Sequence, residues 1–164
     1  SSLADKCRFL GEHFNVRGVD MPTEDFEADV RLQEETVQTF KPDVVVGSSY
    51  GGAIAVTMLQ EGTWIGPTLL LAQAFAMYAQ NDSEKMWLPR NIPITFIHGT
   101  KDSVVDIKGS RILAGKGDPE LVKLIEVDDE HRLQTLIGNQ LFVDAVKELY
   151  DKWGGPQAEA DKKE

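Results

Sequence analysis

Residues 42–52 read Pro42-Asp43-Val44-Val45-Val46-Gly47-Ser48-Ser49-Tyr50-Gly51-Gly52, and the fold follows from how that stretch changes character midway. Val44-Val45-Val46 is apolar and β-branched without alternation, the pattern of a parallel strand covered on both faces. Residues 51–60 then turn small and helix-forming. A strand that passes straight into a helix through glycines and serines forces a sharp turn, and Ser49 sits in it.

That turn has a chemical consequence. Gly47-Ser48-Ser49-Tyr50-Gly51 fits G-x-S-x-G, which by composition alone would occur in a chain of this length with a probability of roughly 5%. The strand before it and the helix after it supply the setting in which the pattern has a mechanism. The turn holds Ser49 in a strained backbone conformation with its hydroxyl exposed, and glycine at positions 47 and 51 removes side chains that would collide across it. The helix N-terminus presents free N–H groups, so the Tyr50 N–H is placed to stabilise a developing oxyanion. Gly47 and Gly51 are therefore the elbow residues, Ser49 the candidate nucleophile and Tyr50 the candidate oxyanion donor.

Outward from this point the chain alternates. Upstream, Leu3, Cys7, Leu10 and Phe14 recur at helical spacing behind Ser2 as N-cap, and residues 15–20 read as a short strand closed by Pro22. Thr23 is placed to cap a second helix whose buried face carries Phe26, Val30, Val37 and Phe40, with Lys41-Pro42 ending it. Downstream, residues 68–72 and 94–97 are buried strands, residues 121–127 a final strand, and a terminal helix carries Phe142, Val146, Leu149, Tyr150 and Trp153 up to Gly154. Strands alternating with helices predict an α/β fold, a mostly parallel sheet with helices on both faces. Loops after the strands then gather at one sheet edge.

The chain has 164 residues, room for one domain with a core. The expectation is a single domain over residues 1–155 and a mobile polar tail over 156–164. A formal net charge of −10 leaves no basic face for nucleic acid or an anionic membrane surface. No apolar run approaches the ~20 residues that span a bilayer, and no signal-peptide core follows the first residues. The single cysteine, Cys7, reads as a small buried hydrophobe and fits a reducing, cytoplasmic setting.

A serine hydroxyl needs a base. Among the three histidines, His13 ends the first helix and reads as solvated. His98 ends a strand and reads as a packed or hydrogen-bonded strand-end residue. His131 follows the last strand, at the sheet edge that carries Ser49, and is the candidate base. Asp102 lies just past the strand that ends near His98, where a carboxylate holds an imidazole in its productive tautomer; Asp106 and Asp128 are its rivals. Phe75, Met77, Tyr78 and Trp87, between two strands, are a possible substrate pocket, and packing of a surface helix is the other reading. No cluster has metal-ligand spacing, and no cofactor is expected.

The elbow segment 42–52, with Ile97-His98-Gly99-Thr100-Lys101-Asp102 and Asp129-Glu130-His131-Arg132-Leu133, resembles small, capless α/β-hydrolases. The resemblance runs from about Leu3 to Trp153. It implies a three-layer α/β/α fold without a cap domain and a Ser49-Asp102-His131 triad in the order of that family. The activity it implies is hydrolysis of a small-molecule carboxylic ester or thioester through an acyl-enzyme, the EC 3.1 type. Members of the family usually begin with a buried strand ending in His-Gly, whose following loop supplies a second oxyanion donor. This chain opens at Ser1-Ser2 with a helix instead, so the expectation is a domain incomplete at its N-terminus. Two alternatives remain: a non-catalytic protein of the same fold that binds a ligand, or an acyltransferase using the same triad.

Overall fold

The structure, a computed structural model, describes residues 2–21 and 25–154. Four parallel strands carry it: β1 (Val45–Ser48), β2 (Thr68–Leu71), β3 (Ile94–Gly99) and β4 (Val122–Val127), side by side in chain order. Helices α1 (Ser2–Gly11) and α2 (Phe26–Phe40) precede β1. Helix α3 (Tyr50–Glu61) follows β1, the short α4 (Phe75–Tyr78) follows β2, α5 (Ile107–Ala114) follows β3 and α6 (Gln140–Lys152) follows β4.

Alternate residues of each strand feed opposite faces. Leu70, Ile94 and Phe96 enter one core with Ile54, Leu59 and Leu113. Leu69, Leu71 and Ile97 enter the other with Leu10, Phe142 and Leu149. The sheet is thus covered by α2, α3 and α5 on one side and by α1 and α6 on the other, a three-layer α/β/α arrangement. All four residues of β2 and all six of β3 are buried, which is why those strands read as unbroken apolar runs.

Register decides where the site can form. Ser48 lies beside Leu71, Leu71 beside Ile97 and Gly99 beside Val127. The four strands therefore end together, and the segments after them share one sheet edge.

Several local expectations change. β1 is an edge strand among the described residues and is not covered on both faces: Val46 is 36% exposed. Residues 15–20 run without strand pairing. They are tied to α2 by Gln33 Nε2, which donates to the Val19 carbonyl at 3.4 Å, and by the Arg17 guanidinium over the Phe40 ring. Helix α2 is capped by Asp25, whose side chain accepts from the Ala28 N–H; Pro22 and Thr23 lie outside the described residues, as does residues 155–164, where the polar tail falls. Ser2 is the first residue of α1 instead of its cap. That helix is also rotated from its expected face. Leu3 is exposed and Cys7 half-buried, while Lys6 is buried at 4% exposure. The lysine is tolerated because its amine donates to the Arg132 carbonyl at 2.7 Å. Trp153 is exposed and C-caps α6. Among the described residues, no helix is long and apolar enough to cross a membrane.

Candidate active site

The turn between β1 and α3 puts Ser49 at φ 53°, ψ −112°, a region that L-residues with a Cβ rarely occupy. The conformation is held by backbone bonds on both sides. The Ser49 N–H donates to the Leu71 carbonyl, and the Ser49 carbonyl accepts from the N–H groups of Gly52, Ala53 and Ala74. The surrounding sheet therefore over-determines the strained residue.

Crowding explains the glycines, with one correction. A Cβ at Gly47 would stand 2.7 Å from the Gly51 carbonyl oxygen, and one at Gly52 would stand 2.6 Å from Gln73 Cβ. At Gly51 the nearest atom would be Met21 Cε at 3.8 Å, an ordinary contact. Gly47 and Gly52, not Gly51, are the positions where the strand, the helix and the end of β2 leave no space for a side chain.

Ser49, His131 and Asp102 converge. Ser49 Oγ is 2.9 Å from His131 Nε2, and His131 Nδ1 is 2.8 Å from Asp102 Oδ2. His131 is 20% exposed and the Asp102 side chain is fully buried. That burial works against ionisation of Asp102. The Val105 N–H, the His131 imidazole and the Val104 N–H outweigh it and hold the carboxyl below its ordinary value. Both backbone groups donate to Oδ1, at 2.8 and 2.9 Å, leaving Oδ2 for the imidazole. The rival carboxylates have other partners. Asp106 caps α5 through the Lys108 N–H, and Asp128 sits at the surface against Lys101.

Tyr50 opens α3, and a first-turn N–H has no acceptor within its own helix. Its phenol points to α2 and donates to Asp29 Oδ2 at 2.5 Å. Burial, reinforced by that carboxylate, pushes the phenol's pKa upward. Asp29 is fully buried, and its Oδ1 has no partner among the described residues.

The pocket residues divide. Phe75 is buried in the core with Ala53 and Ile54, so it packs the fold. Tyr78 stacks on Phe26 at 4.6 Å and lies 5.5 Å from the Tyr50 ring; Met77 is 58% exposed beside it. Trp87 belongs elsewhere. Its carbonyl accepts from Gln60 Nε2, near the C-terminal end of α3, about 15 Å along the helix from the serine. A groove of about 380 Å³ between α2 and α3, lined by Phe26, Glu34, Thr57 and Glu61 among others, contains none of the expected site residues.

Gly52, Gln73, Ser110 and Lys6 also belong to this edge. A charged residue interrupting an apolar helical stripe was the available signal for Lys6; the others carry no local mark. Among the described residues, no group of three or more His, Cys, Asp or Glu side chains could hold a metal ion.

A parallel sheet whose first strand turns through a strained serine into a helix, with a carboxylate after the third strand and a histidine after the fourth, is the α/β-hydrolase fold. Solved structures of that superfamily match it. The esterase domain of a Rhodothermus marinus protein has a TM-score of 0.63 at 13% identity, over 92% of this chain and 80% of that one. A meta-cleavage product hydrolase from Pseudomonas fluorescens has a TM-score of 0.66 at 15% identity, over 90% of this chain and 85% of that one. An α/β-hydrolase enzyme from the metagenome of lagoon sediments at Mar Chica, Morocco, has a TM-score of 0.56 at 13% identity, over 77% and 70%. No protein-family model and no curated protein sequence matches the chain.

Proposed function

We propose that this chain is a serine hydrolase that cleaves a carboxylic ester or thioester through an acyl-enzyme on Ser49. The observation that carries the reading is the continuous contact from Ser49 Oγ through His131 to the buried Asp102, on a serine with positive φ. His131 takes the Ser49 proton as Oγ attacks the carbonyl carbon, and Asp102 stabilises the imidazolium that results. The tetrahedral oxyanion lies at the Tyr50 N–H. Collapse expels the alcohol or thiol with the proton from His131. Water, deprotonated by the same imidazole, then attacks the acyl-serine, and the carboxylic acid leaves as Oγ regains its proton.

Tyr78, in ring contact with Tyr50, and its exposed neighbour on α4, Met77, are the walls we assign to the acyl side. The single cysteine fits a reducing, cytoplasmic setting. The hydrolases among the structural neighbours support the reading at the level of fold.

Fluorophosphonate labelling with peptide mapping tests it. Labelling at Ser49 that is abolished in Ser49→Ala is the expected result, with a fall in p-nitrophenyl ester turnover of about 10⁶. Folded protein that takes no label would instead support a binding role for the same fold. Transfer to added alcohols or thiols in preference to water would make the enzyme an acyltransferase.

A further inference from the structure

His98 has no part in the reaction above, yet it is fully buried at the end of β3 and touches the acid. Its Nδ1 lies 2.7 Å from Ser110 Oγ on α5, and its Nε2 lies 2.9 Å from the Val105 carbonyl. A carbonyl only accepts, so Nε2 carries a proton, and in the neutral ring Nδ1 is then the acceptor. Ser110 then donates to Nδ1, and in turn accepts from Gln73 Nε2 at 2.9 Å. Gln73 Oε1 is held by the Phe75 N–H at 2.8 Å. Every donor in this chain points the same way, and His98, Ser110 and Gln73 are each at most 1% exposed.

The chain ends on Asp102 by two routes. Val105 gives its carbonyl to His98 and its N–H to Asp102 Oδ1, so the imidazole closes the turn that carries the carboxylate. Asp102 Oδ2, the oxygen facing His131, also stands 3.1 Å from His98 Nε2, beside the bond to Val105. The positive edge of one imidazole therefore shares that oxygen with the other. The ladder partner of His98 on β4 is Glu126, which Arg111 on α5 engages at 2.6 and 3.1 Å.

We propose that His98, fixed in its Nε2–H form by Ser110 and Gln73, is a positioning residue that acts through Asp102 on the base His131. The inference rests on the triad reading for its catalytic meaning, but its geometry does not require turnover. His98 holds the Asp102 turn and draws charge from Oδ2, which limits how strongly the carboxylate favours the His131 imidazolium.

The test uses His98→Leu, His98→Gln and Ser110→Ala. Long-range ¹H–¹⁵N spectra of histidine-labelled protein follow both rings across pH, and p-nitrophenyl ester kinetics run in parallel. In the wild type, His98 is expected as the neutral Nε2–H tautomer. In His98→Leu and Ser110→Ala the His131 titration moves upward by about half a unit or more. Their kcat falls roughly tenfold or more with little change in KM. Gln presents an N–H near the Nε2 position, so His98→Gln stays near wild type. An unshifted or downward-shifted His131 titration in folded Ser110→Ala overturns the proposal, as does His98→Gln as impaired as His98→Leu. Should His98→Leu not fold, Ser110→Ala carries the comparison. Failure of the triad reading looks different: Ser49→Ala then leaves turnover intact, while the effect of His98 on the His131 titration persists.

Discussion

A methyl group at Gly99 would overlap the carbonyl oxygen of Asp129 and stand 2.9 Å from that of Glu130. The segment carrying His131 thus crosses directly over the strand end that leads to Asp102. Two further bonds, from Thr100 N–H to the Val127 carbonyl and from Lys101 N–H to that of Asp129, fasten the crossing. Gly99→Ala should push His131, the proposed base, away from Ser49 while leaving both residues present. Displacement of about 1 Å in such a constellation costs on the order of 10² in rate. Ester kinetics on folded Gly99→Ala, checked by circular dichroism, measure it.

Asp102→Asn retains the shape of the side chain but favours the wrong tautomer of His131. Its kcat should fall by about 10⁴ with KM little affected. The same variant reads a stability effect. Asp102 is held below its ordinary value of 3.8 in the folded chain, so its contribution to stability is fully present above that value and is lost as pH falls through the folded pKa. In urea denaturation, the gap between wild type and Asp102→Asn should therefore be constant near neutrality and narrow below about pH 4.

Lys6 links α1 to the segment that carries His131. Burial pushes its amine downward in pKa, with Asp129 acting in the opposite direction, and the amine donates to the carbonyl next to His131 in the chain. Lys6→Met keeps the apolar stem and leaves the Arg132 carbonyl without this donor. A loss of about 1–3 kcal/mol in unfolding free energy is expected, together with a reduced kcat as the base loop loosens.

The Tyr50 backbone N–H is the proposed oxyanion donor, while its ring serves the fold. Tyr50→Phe removes the phenol that donates to Asp29 Oδ2 and leaves that oxygen of a buried carboxylate, like Oδ1, without this donor. Denaturation should show a loss of about 1–3 kcal/mol. The oxyanion donor is untouched, so turnover of the folded variant should stay within about threefold of wild type. A large drop in kcat with unchanged stability would assign the ring a direct role.

Much of the architecture was legible because it is local. β2 and β3 bury both faces and so carry no polar alternation, and the terminal helix buries Phe142, Val146 and Leu149 at helical spacing. Periodicity missed what depends on neighbours. β1 has the composition of a central strand, yet it lies at the edge of the described sheet and Val46 is exposed on a face that is not fully covered. Residues 15–20 have strand-like composition and find no ladder. Helix α5 is short and holds Gly109, so it left little pattern to read.

The sequence by itself determined the sharp turn at Ser49 and the order in which Ser49, Asp102 and His131 follow their strands. These are properties of consecutive residues: a β-branched run, glycines at a sharp turn, a small-residue helix. Only the tertiary structure decided which carboxylate faces His131, that Gly52 and not Gly51 is crowded, and that His98, Ser110 and Gln73 form one buried chain ending on Asp102. Ser49 and His131 are 82 residues apart and 2.9 Å apart in space. Such contacts arise from strand register and from how closely backbones cross, and spacing along the chain encodes neither.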